Sequence, residues 1–226
     1  MHQLPAAVLC DMDGTLVESE EYWIEVEMQL ARADGGHWTK ADGVSLIGSA
    51  IPYSARELRT RGGVQGTDEQ IVDRLISGVA RLMRERGIIW RPGAREFLDS
   101  MRAAAIPMAL VTMSYRELAD TVAASLPTGT FQAIVAGDAV THGKPHPEPY
   151  LTAAARIGVD AERCIGIEDS PTGLASVEAA GARSIGIPCL VEIPPAQGRS
   201  RVSSLNELGL HELSLIASGQ VIDRLR

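Results

Sequence analysis

The chain has 226 residues, of which 45% are hydrophobic and 22% are charged, and its formal net charge is -8. This composition is ordinary for a globular protein of one large or two modest domains, and it excludes disordered, collagen-like and coiled-coil chains. The acidic balance argues against a nucleic-acid-binding surface, which needs a basic patch to displace counterions from phosphates.

The sequence predicts neither a membrane segment nor an export signal. No apolar run approaches the ~20 residues that span a bilayer, and Met1–Pro5 lacks the basic residues that begin a secretory signal. Cys10, Cys164 and Cys189 are scattered within apolar stretches, which is typical of buried cysteines rather than of disulfides or zinc sites. We therefore expect a cytoplasmic protein without a membrane partner.

Short, almost continuous apolar runs alternate with segments of helical apolar spacing. The first run, Ala6–Asp11, is typical of a strand buried on both faces of a parallel sheet. Further strands are predicted at Ile106–Thr112, Phe131–Ala136, Cys164–Ile167 and Ser184–Ile187, and helices at Gly93–Ala104, Tyr115–Leu126, Pro147–Ile157 and Pro171–Ala180. This alternation predicts an α/β fold with a doubly wound parallel sheet, in which chemistry gathers at the carboxyl ends of the strands.

The interval Val17–Trp90 is too long for a single crossover connection. It contains segments of helical spacing, separated by glycine-rich stretches, at Ser19–Ala33, Tyr53–Arg61 and Asp68–Arg86. We therefore predict a helical cap domain at residues 18–90, inserted into a Rossmann-like core domain formed by residues 1–17 and 91–226. Pro188–Ser204 is predicted to be a surface loop with one edge strand.

Two pairs of acids follow two of the predicted strands. Asp11 and Asp13 lie in DMDGT after the first strand, and Glu168 and Asp169 follow Cys164–Ile167. An acidic turn would explain either pair alone, because Asp and Gly are ordinary turn residues. Two such pairs at one edge of a sheet are unfavourable unless a cation lies between them or one acid is protonated. The pattern indicates a hard cation such as Mg²⁺, which prefers oxygen ligands.

Hydroxyl groups and a lysine follow other predicted strands. Thr112, Met113 and Ser114 close the second strand and offer hydroxyls and backbone amides to an anion. Lys144 lies in a GKP turn before a helix. Taken singly, such a threonine is typical of a helix cap and such a lysine of a solvated loop. Together with the acids they form a set suited to phosphoryl transfer, in which a carboxylate attacks phosphorus and cations neutralise its oxygens.

The motifs DMDGT, VTMS, GKP and GIEDS, in this order, resemble those of the haloacid dehalogenase-like superfamily, and the resemblance covers nearly the whole chain. It is to the branch with an α-helical cap that contains β-phosphoglucomutases and phosphoglycolate phosphatases. The resemblance implies that Asp11 forms an aspartyl phosphate and that Asp13 is the general acid and base. It also implies a small phosphorylated metabolite as substrate, such as a sugar or polyol phosphate. For the assembly we expect a monomer or a small homo-oligomer.

The same resemblance implies the groups that bind the metal and the phosphate. Mg²⁺ is expected on the Asp11 carboxylate, the Asp13 backbone carbonyl and Asp169. Glu168 is expected to bind the ion directly or to support another ligand. The phosphoryl oxygens are expected to be held by Thr112, Met113, Ser114 and Lys144.

Departures from these relatives favour hydrolysis. Asp13 disfavours halide chemistry, because haloacid dehalogenases lack this second acid. Trp23 stands where the mutases carry a cap histidine, and an indole has no transferable proton for that role. Thr15 replaces an aliphatic residue of the mutases. Trp23 is equally typical of a domain core, because large aromatic side chains mostly bury area.

Other residues of the inserted domain are candidates for substrate specificity. Gly48, Arg56 and Arg59 lie in segments that resemble the specificity region of the family, although arginines on helices are usually solvated. The histidines show no ligand-like spacing, and none is expected to bind a metal. They are His2, His37, His142, His146 and His211.

Two alternative functions stay open. A sugar phosphomutase would move phosphate between positions of one sugar and release little free phosphate. A receiver-like signalling domain also places a phosphorylatable Asp, a hydroxyl and a Lys around a parallel sheet, but this length and motif order fit it poorly.

Overall fold

Six parallel strands form one sheet in the computed structural model, which describes residues 4–47 and 49–225. In chain order they are β1 (Ala7–Cys10), β2 (Met108–Val111), β3 (Ala133–Val135), β4 (Cys164–Glu168), β5 (Arg183–Gly186) and β6 (Ser200–Arg201). Their order in the sheet is β3-β2-β1-β4-β5-β6. The predicted doubly wound α/β sheet is confirmed. The short β6 is the edge strand expected within Pro188–Ser204.

Nine α-helices occur in the residues that the structure describes. They are α1 (Glu20–Ala33), α2 (Lys40–Val44), α3 (Ile51–Thr60), α4 (Asp68–Arg86), α5 (Ala94–Ala103), α6 (Arg116–Ala124), α7 (Glu148–Ile157), α8 (Pro171–Ala179) and α9 (Leu210–Ala217). Neither α2 nor α9 was predicted from the sequence. The five residues of α2 carry no apolar period, and a capping box between Thr39 and Asp42 begins this helix.

The residues of the central strands are apolar because both faces of the sheet are covered. Every residue of β1, β2 and β4 is buried, as expected for strands without a solvent face. α7 packs on β2 and β3 and α8 packs on β4 and β5, in contact with each other, and α9 also packs on β4. Val8 of β1 is paired with Met108 of β2 on one side and with Ile165 of β4 on the other. The carboxyl ends of these three strands therefore lie at one edge of the sheet.

The chain divides into two compact units, Met1–Glu18 with Ile89–Arg226 and Ser19–Ile88. From the sequence, the inserted domain was predicted at residues 18–90. The first unit contains the sheet, and the second contains α1 to α4, with α4 packed against α1 and α3. Of the helices within the described ranges, none is both long and apolar enough to cross a membrane.

The two segments that join the units are paired with each other. The backbone amide of Glu18 donates to the carbonyl of Ile89 at 2.8 Å, and that of Arg91 donates to Leu16 at 2.9 Å. Val17 and Trp90 form the antiparallel bridge between these hydrogen bonds. The segment that leaves the first unit and the segment that returns to it are therefore hydrogen-bonded to each other.

Candidate active site

The polar residues singled out in the sequence meet at the carboxyl ends of β1, β2 and β4. Asp11 directly follows β1, Thr112 follows β2, and Glu168 ends β4. The Asp11 amide donates to the Ile167 carbonyl at 3.0 Å, which extends the pairing of β1 with β4 to the catalytic edge. Because β1 lies between the other two strands, acids that are far apart in sequence are brought to a common site.

Lys144 is the buried cation of this site. Its Nζ lies 2.6 Å from Asp11 Oδ1 and 2.6 Å from Glu168 Oε1, and it donates to the Val111 carbonyl at 2.9 Å. The Lys144 side chain is only 6% exposed. This burial excludes the alternative that Lys144 is a solvated loop lysine. One ammonium group joins the ends of all three central strands.

Burial and the neighbouring charges raise the pKa values of two acids of the site, Glu168 and Asp169. Burial raises the pKa of Glu168, and the negative charge of Asp11 raises it further against the opposing effect of Lys144. Burial, followed by the charges of Asp11 and Glu168, raises the pKa of Asp169 to about 8. For Lys144, burial lowers the pKa, but the charges of Asp11 and Glu168 outweigh it and raise the pKa above the usual lysine range. The site therefore carries more negative charge than Lys144 alone neutralises.

Asp13 is held at the same edge by the residues that follow β2. Its Oδ2 accepts a hydrogen bond from Ser114 Oγ at 2.6 Å and a longer one from Thr112 Oγ1 at 3.3 Å. Thr112 Oγ1 in turn accepts a hydrogen bond from the Ser114 amide at 2.9 Å. The two hydroxyls predicted to contact phosphate thus contact the second acid, which fixes the direction of its carboxylate.

The side chain of Met113 contacts the loop that carries Lys144. Its side chain is 36% exposed, and its Sδ accepts a hydrogen bond from the Lys144 amide at 3.4 Å. This contact links the turn after β2 to the loop that carries the lysine. The backbone amide of Met113 stays the predicted phosphate-binding group.

Two glycines allow the acids to approach the backbone closely. Gly14 has φ +79, and a Cβ there would overlap the Asp169 carboxylate. A Cβ on Gly173, in the first turn of α8, would overlap the carboxylate of Glu168. Both positions therefore need a residue without a side chain, and Gly14 also has a backbone conformation that favours glycine.

Tyr150 and Ser170 complete the surroundings of Glu168. Tyr150 is fully buried in α7 and donates from its hydroxyl to Glu168 Oε1 at 2.7 Å. Its ring centroid lies 5.3 Å from Lys144 Nζ, within the range of a cation–π contact. Ser170, the N-cap of α8, accepts a hydrogen bond from the Gly173 amide and also donates one to Glu168 Oε2 at 3.3 Å. Tyr150 was not predicted from the sequence to belong to the site. The available signal was a phenol on the buried face of a helix, which needs a polar partner.

The residues present fit a divalent cation. Asp11, Glu168 and Asp169 offer carboxylate oxygens that lie within 4.8 Å of one another. Asp11 Oδ2 is buried and has no hydrogen-bond partner among the residues that the structure describes. A buried carboxylate oxygen without a partner is costly, and a hard cation with oxygen ligands would satisfy it. The carboxylate of Asp13 does not belong to this cluster. The backbone carbonyl of Asp13 stays a predicted ligand.

The specificity candidates lie in the helical unit. Trp23 is half-buried in α1. Arg56 and Arg59 both reach Asp68 at the start of α4, with nitrogen–oxygen distances of 3.5 Å and 2.7 Å. Within this unit the two arginines therefore join α3 to α4. Gly48 lies outside the described residues.

Comparisons with known proteins agree with these motifs. A family model described as haloacid dehalogenase-like hydrolase matches residues 5–181. Hexitol phosphatase B of Escherichia coli (strain K12) is 29% identical over 217 residues, covering 92% of this chain and 96% of that protein. Protein CbbY of Rhodobacter capsulatus is 31% identical over 191 residues, covering 79% of this chain and 83% of that protein.

A solved structure resembles the whole fold. The crystal structure of CbbY from Rhodobacter sphaeroides in complex with phosphate superposes with a TM-score of 0.80 at 28% identity. The match covers 94% of this chain and 100% of that chain. The similarity therefore includes the helical unit as well as the sheet.

Proposed function

Since the chain belongs to the haloacid dehalogenase-like hydrolase family, we propose that it is a Mg²⁺-dependent phosphatase that hydrolyses a small sugar or polyol phosphate through a phosphorylated Asp11. The observation that carries the proposal is the contact of Asp11 with Lys144 at 2.6 Å, with Asp13 held two residues further along the same turn. Similarity to a hexitol phosphatase supports the substrate class.

In the first step, a carboxylate oxygen of Asp11 attacks the phosphorus of the substrate. A bond forms between this oxygen and phosphorus, and the bond from phosphorus to the substrate alcohol oxygen breaks. Asp13 donates a proton to the departing alcohol oxygen. Lys144 holds Asp11 in place and offsets negative charge next to the phosphoryl group, an effect that is strong in a poorly hydrated site.

In the second step, Asp13 takes a proton from water as the water oxygen attacks phosphorus. The bond from phosphorus to Asp11 breaks, which releases inorganic phosphate and restores the Asp11 carboxylate. Ser114 and Thr112 hold Asp13 through hydrogen bonds to Oδ2. We assign the proton transfer to the Asp13 carboxylate. A positioned acid of this kind contributes roughly a hundredfold or more to such a step.

For the metal, we propose Asp11, Asp169 and the backbone carbonyl of Asp13 as the ligands. When bound, Mg²⁺ would neutralise charge on the phosphoryl oxygens and on the acids. Both oxygens of Glu168 are already engaged, by Lys144 and Tyr150 on one and Ser170 on the other. We therefore assign Glu168 to positioning Lys144 rather than to direct metal binding.

We also propose that the Ser19–Ile88 unit is the cap that selects the leaving group. The similarity to CbbY over 94% of the chain supports this assignment. Trp23, Arg56 and Arg59 stay its specificity candidates. Replacing Trp23 by alanine should change the relative rates within a substrate panel, whereas equal losses on every substrate would assign Trp23 to the core of the unit. The cytoplasmic location and the oligomeric state stay predictions from the sequence.

The test is the release of inorganic phosphate from a panel of sugar and polyol phosphates, with and without Mg²⁺. Asp11→Asn should abolish release, because the amide is nearly isosteric but cannot form the acyl phosphate. Asp99→Asn, at an exposed acid of α5, is the matched control and should be fully active. Formation of an isomeric sugar phosphate without free phosphate would indicate a mutase. A phosphorylated Asp11 that persists without turnover would indicate a receiver-like domain.

A further inference from the structure

Two histidines and a glutamate meet in the loop before α7. His142, His146 and Glu148 each offer one ligand atom, and these atoms lie within 4.8 Å of one another. The rings of His142 and His146 are 4.6 Å apart between centroids. The spacing of the histidines along the chain did not predict this cluster, because the third donor comes from the first turn of the next helix.

The glutamate of this cluster is held in place by the loop itself. Glu148 Oε1 accepts a hydrogen bond from the Thr141 amide at 2.7 Å, and Oε2 accepts one from the His142 amide at 2.9 Å. Hydrogen bonds of this kind orient a carboxylate before it binds a metal. Although both histidines are exposed, the carboxylate between them has a fixed direction.

The donor atoms have separations that suit a small transition-metal ion. Glu148 Oε2 accepts a hydrogen bond from His142 Nδ1 at 2.8 Å and lies 3.9 Å from His146 Nδ1, and an ion bound between them would replace the proton on His142 Nδ1. In a tetrahedral zinc site with the usual metal–ligand distances, two ligand atoms lie roughly 3.3 Å apart. This value falls between the two distances measured from Glu148 Oε2. The Glu148 amide donates to His146 Nδ1 at 3.2 Å, so this nitrogen is unprotonated, and an ion bound there would replace the amide hydrogen at its lone pair.

We propose that His142, His146 and Glu148 form a second metal site, which takes a borderline transition-metal ion of the Zn²⁺ type. Imidazole nitrogens suit zinc, copper and nickel, whereas Mg²⁺ prefers oxygen ligands. The acid cluster at Asp11 and this site therefore differ in donor chemistry and in the ions that they select. Three protein ligands leave a fourth tetrahedral position for water or another small ligand.

The ion would connect the two sides of the segment that contains Lys144. His142 and His146 flank this lysine at two residues on either side, while its ammonium group contacts Asp11 and Glu168. Occupancy would hold the loop to the start of α7 and would stabilise the folded protein, because the ion binds the native arrangement and not the unfolded chain.

The test is a zinc titration of the full chain against a competing metal indicator, in saturating Mg²⁺ so that the acid cluster is not the zinc acceptor. We expect one zinc per chain for the wild type. His142→Ala and His146→Ala should each weaken binding by about tenfold or more, since each removes a donor atom. His211→Ala, at an exposed histidine of α9, is the matched control and should bind zinc as the wild type does.

Two further measurements make the result decisive. Asp169→Ala should keep the zinc uptake, because this residue belongs to the other cluster. Co²⁺ in place of zinc should give the visible absorption of a tetrahedral site in the wild type and lose it in both histidine variants. The proposal is overturned by a wild type that takes up no zinc at submillimolar concentration, or by uptake that survives in His142→Ala and His146→Ala. Binding is measured without turnover, so its result is independent of the phosphatase activity.

Discussion

Lys144 and Asp11 are separated by 133 positions in the chain, and their charged atoms lie 2.6 Å apart. Both side chains are almost entirely buried. A buried ion pair contributes little compared with a well-packed apolar pair, but removing one partner is strongly destabilising because the other charge is left alone.

Lys144→Met should therefore lower the free energy of unfolding and abolish turnover. Loss of the ammonium group leaves the buried carboxylates of Asp11 and Glu168 without their cation. Removing one partner of a buried ion pair lowers the free energy of unfolding by about 3 to 5 kcal/mol. Urea unfolding monitored by circular dichroism measures this change. Lys40→Met, at an exposed lysine in the first turn of α2, is the matched control and should unfold as the wild type does. Equal stability of the two variants would remove Lys144 from the network.

Tyr150→Phe tests whether the buried phenol positions Glu168. The change removes one hydrogen bond to a buried carboxylate while keeping the ring, and it should lower the free energy of unfolding by about 2 kcal/mol. Through Glu168 and Lys144 it should also raise the Mg²⁺ concentration needed for half-maximal activity by about tenfold. Tyr53→Phe changes an exposed tyrosine of α3 and should alter neither quantity. A variant with lower stability but an unchanged Mg²⁺ requirement would limit Tyr150 to a structural role.

Ser114→Ala distinguishes two roles for this hydroxyl. If Ser114 mainly orients Asp13, as the 2.6 Å hydrogen bond indicates, kcat should fall by about tenfold with little change in KM, because proton transfer depends on the position of the acid. A higher KM with an unchanged kcat would instead assign Ser114 to phosphate binding. Ser125→Ala, at an exposed serine after α6, provides the matched control.

Gly14→Ala should inactivate the protein beyond any effect on its stability. Alanine at φ +79 costs about 1 to 2 kcal/mol in backbone strain, and its Cβ would displace the Asp169 carboxylate. Gly129 has φ +81, and a Cβ there would meet no described atom within 4 Å. Gly129→Ala therefore carries the same strain without the displacement. Unfolding and phosphate release measured on both variants should show similar losses of stability and a loss of activity only in Gly14→Ala.

The helical unit contains a buried acid that should make its stability depend on pH. Glu27 is 4% exposed, and burial raises its pKa to about 7, with a smaller contribution from Glu20 and an opposing hydrogen bond from Trp38. In the unfolded chain this carboxyl ionises near its ordinary value of 4.5. The unfolded state therefore loses the proton first as pH rises, and stability falls between about pH 4.5 and pH 7.

The fall attributable to Glu27 is up to about 3 kcal/mol, at 1.36 kcal/mol for each pKa unit. Glu27→Gln keeps an acceptor for the Trp38 indole and has no proton to lose, so its unfolding free energy should change much less over this range. Urea unfolding at several pH values measures the difference. Parallel pH profiles for Glu27→Gln and the wild type would contradict the assignment.

The strands, most helices and four motifs could be predicted because their signals are local. A continuous apolar run such as that of β1 indicates a strand buried on both faces wherever the chain later places it. Ser170 and Pro171 mark the start of α8 through the hydrogen-bonding and dihedral preferences of those two residues alone. In a parallel sheet the carboxyl ends of all strands lie at one edge. The acids after β1 and β4 were therefore predicted to lie close together.

The partners of each polar atom depended on the three-dimensional structure. The contacts of Tyr150 with Glu168, of Ser114 with Asp13, and of His142 with Glu148 require particular side-chain directions on separate segments. A residue type shows what a side chain is able to donate or accept, but not which atom it will face. Packing of α7 against the sheet brings the phenol to the carboxylate, and no local pattern in either segment encodes that distance.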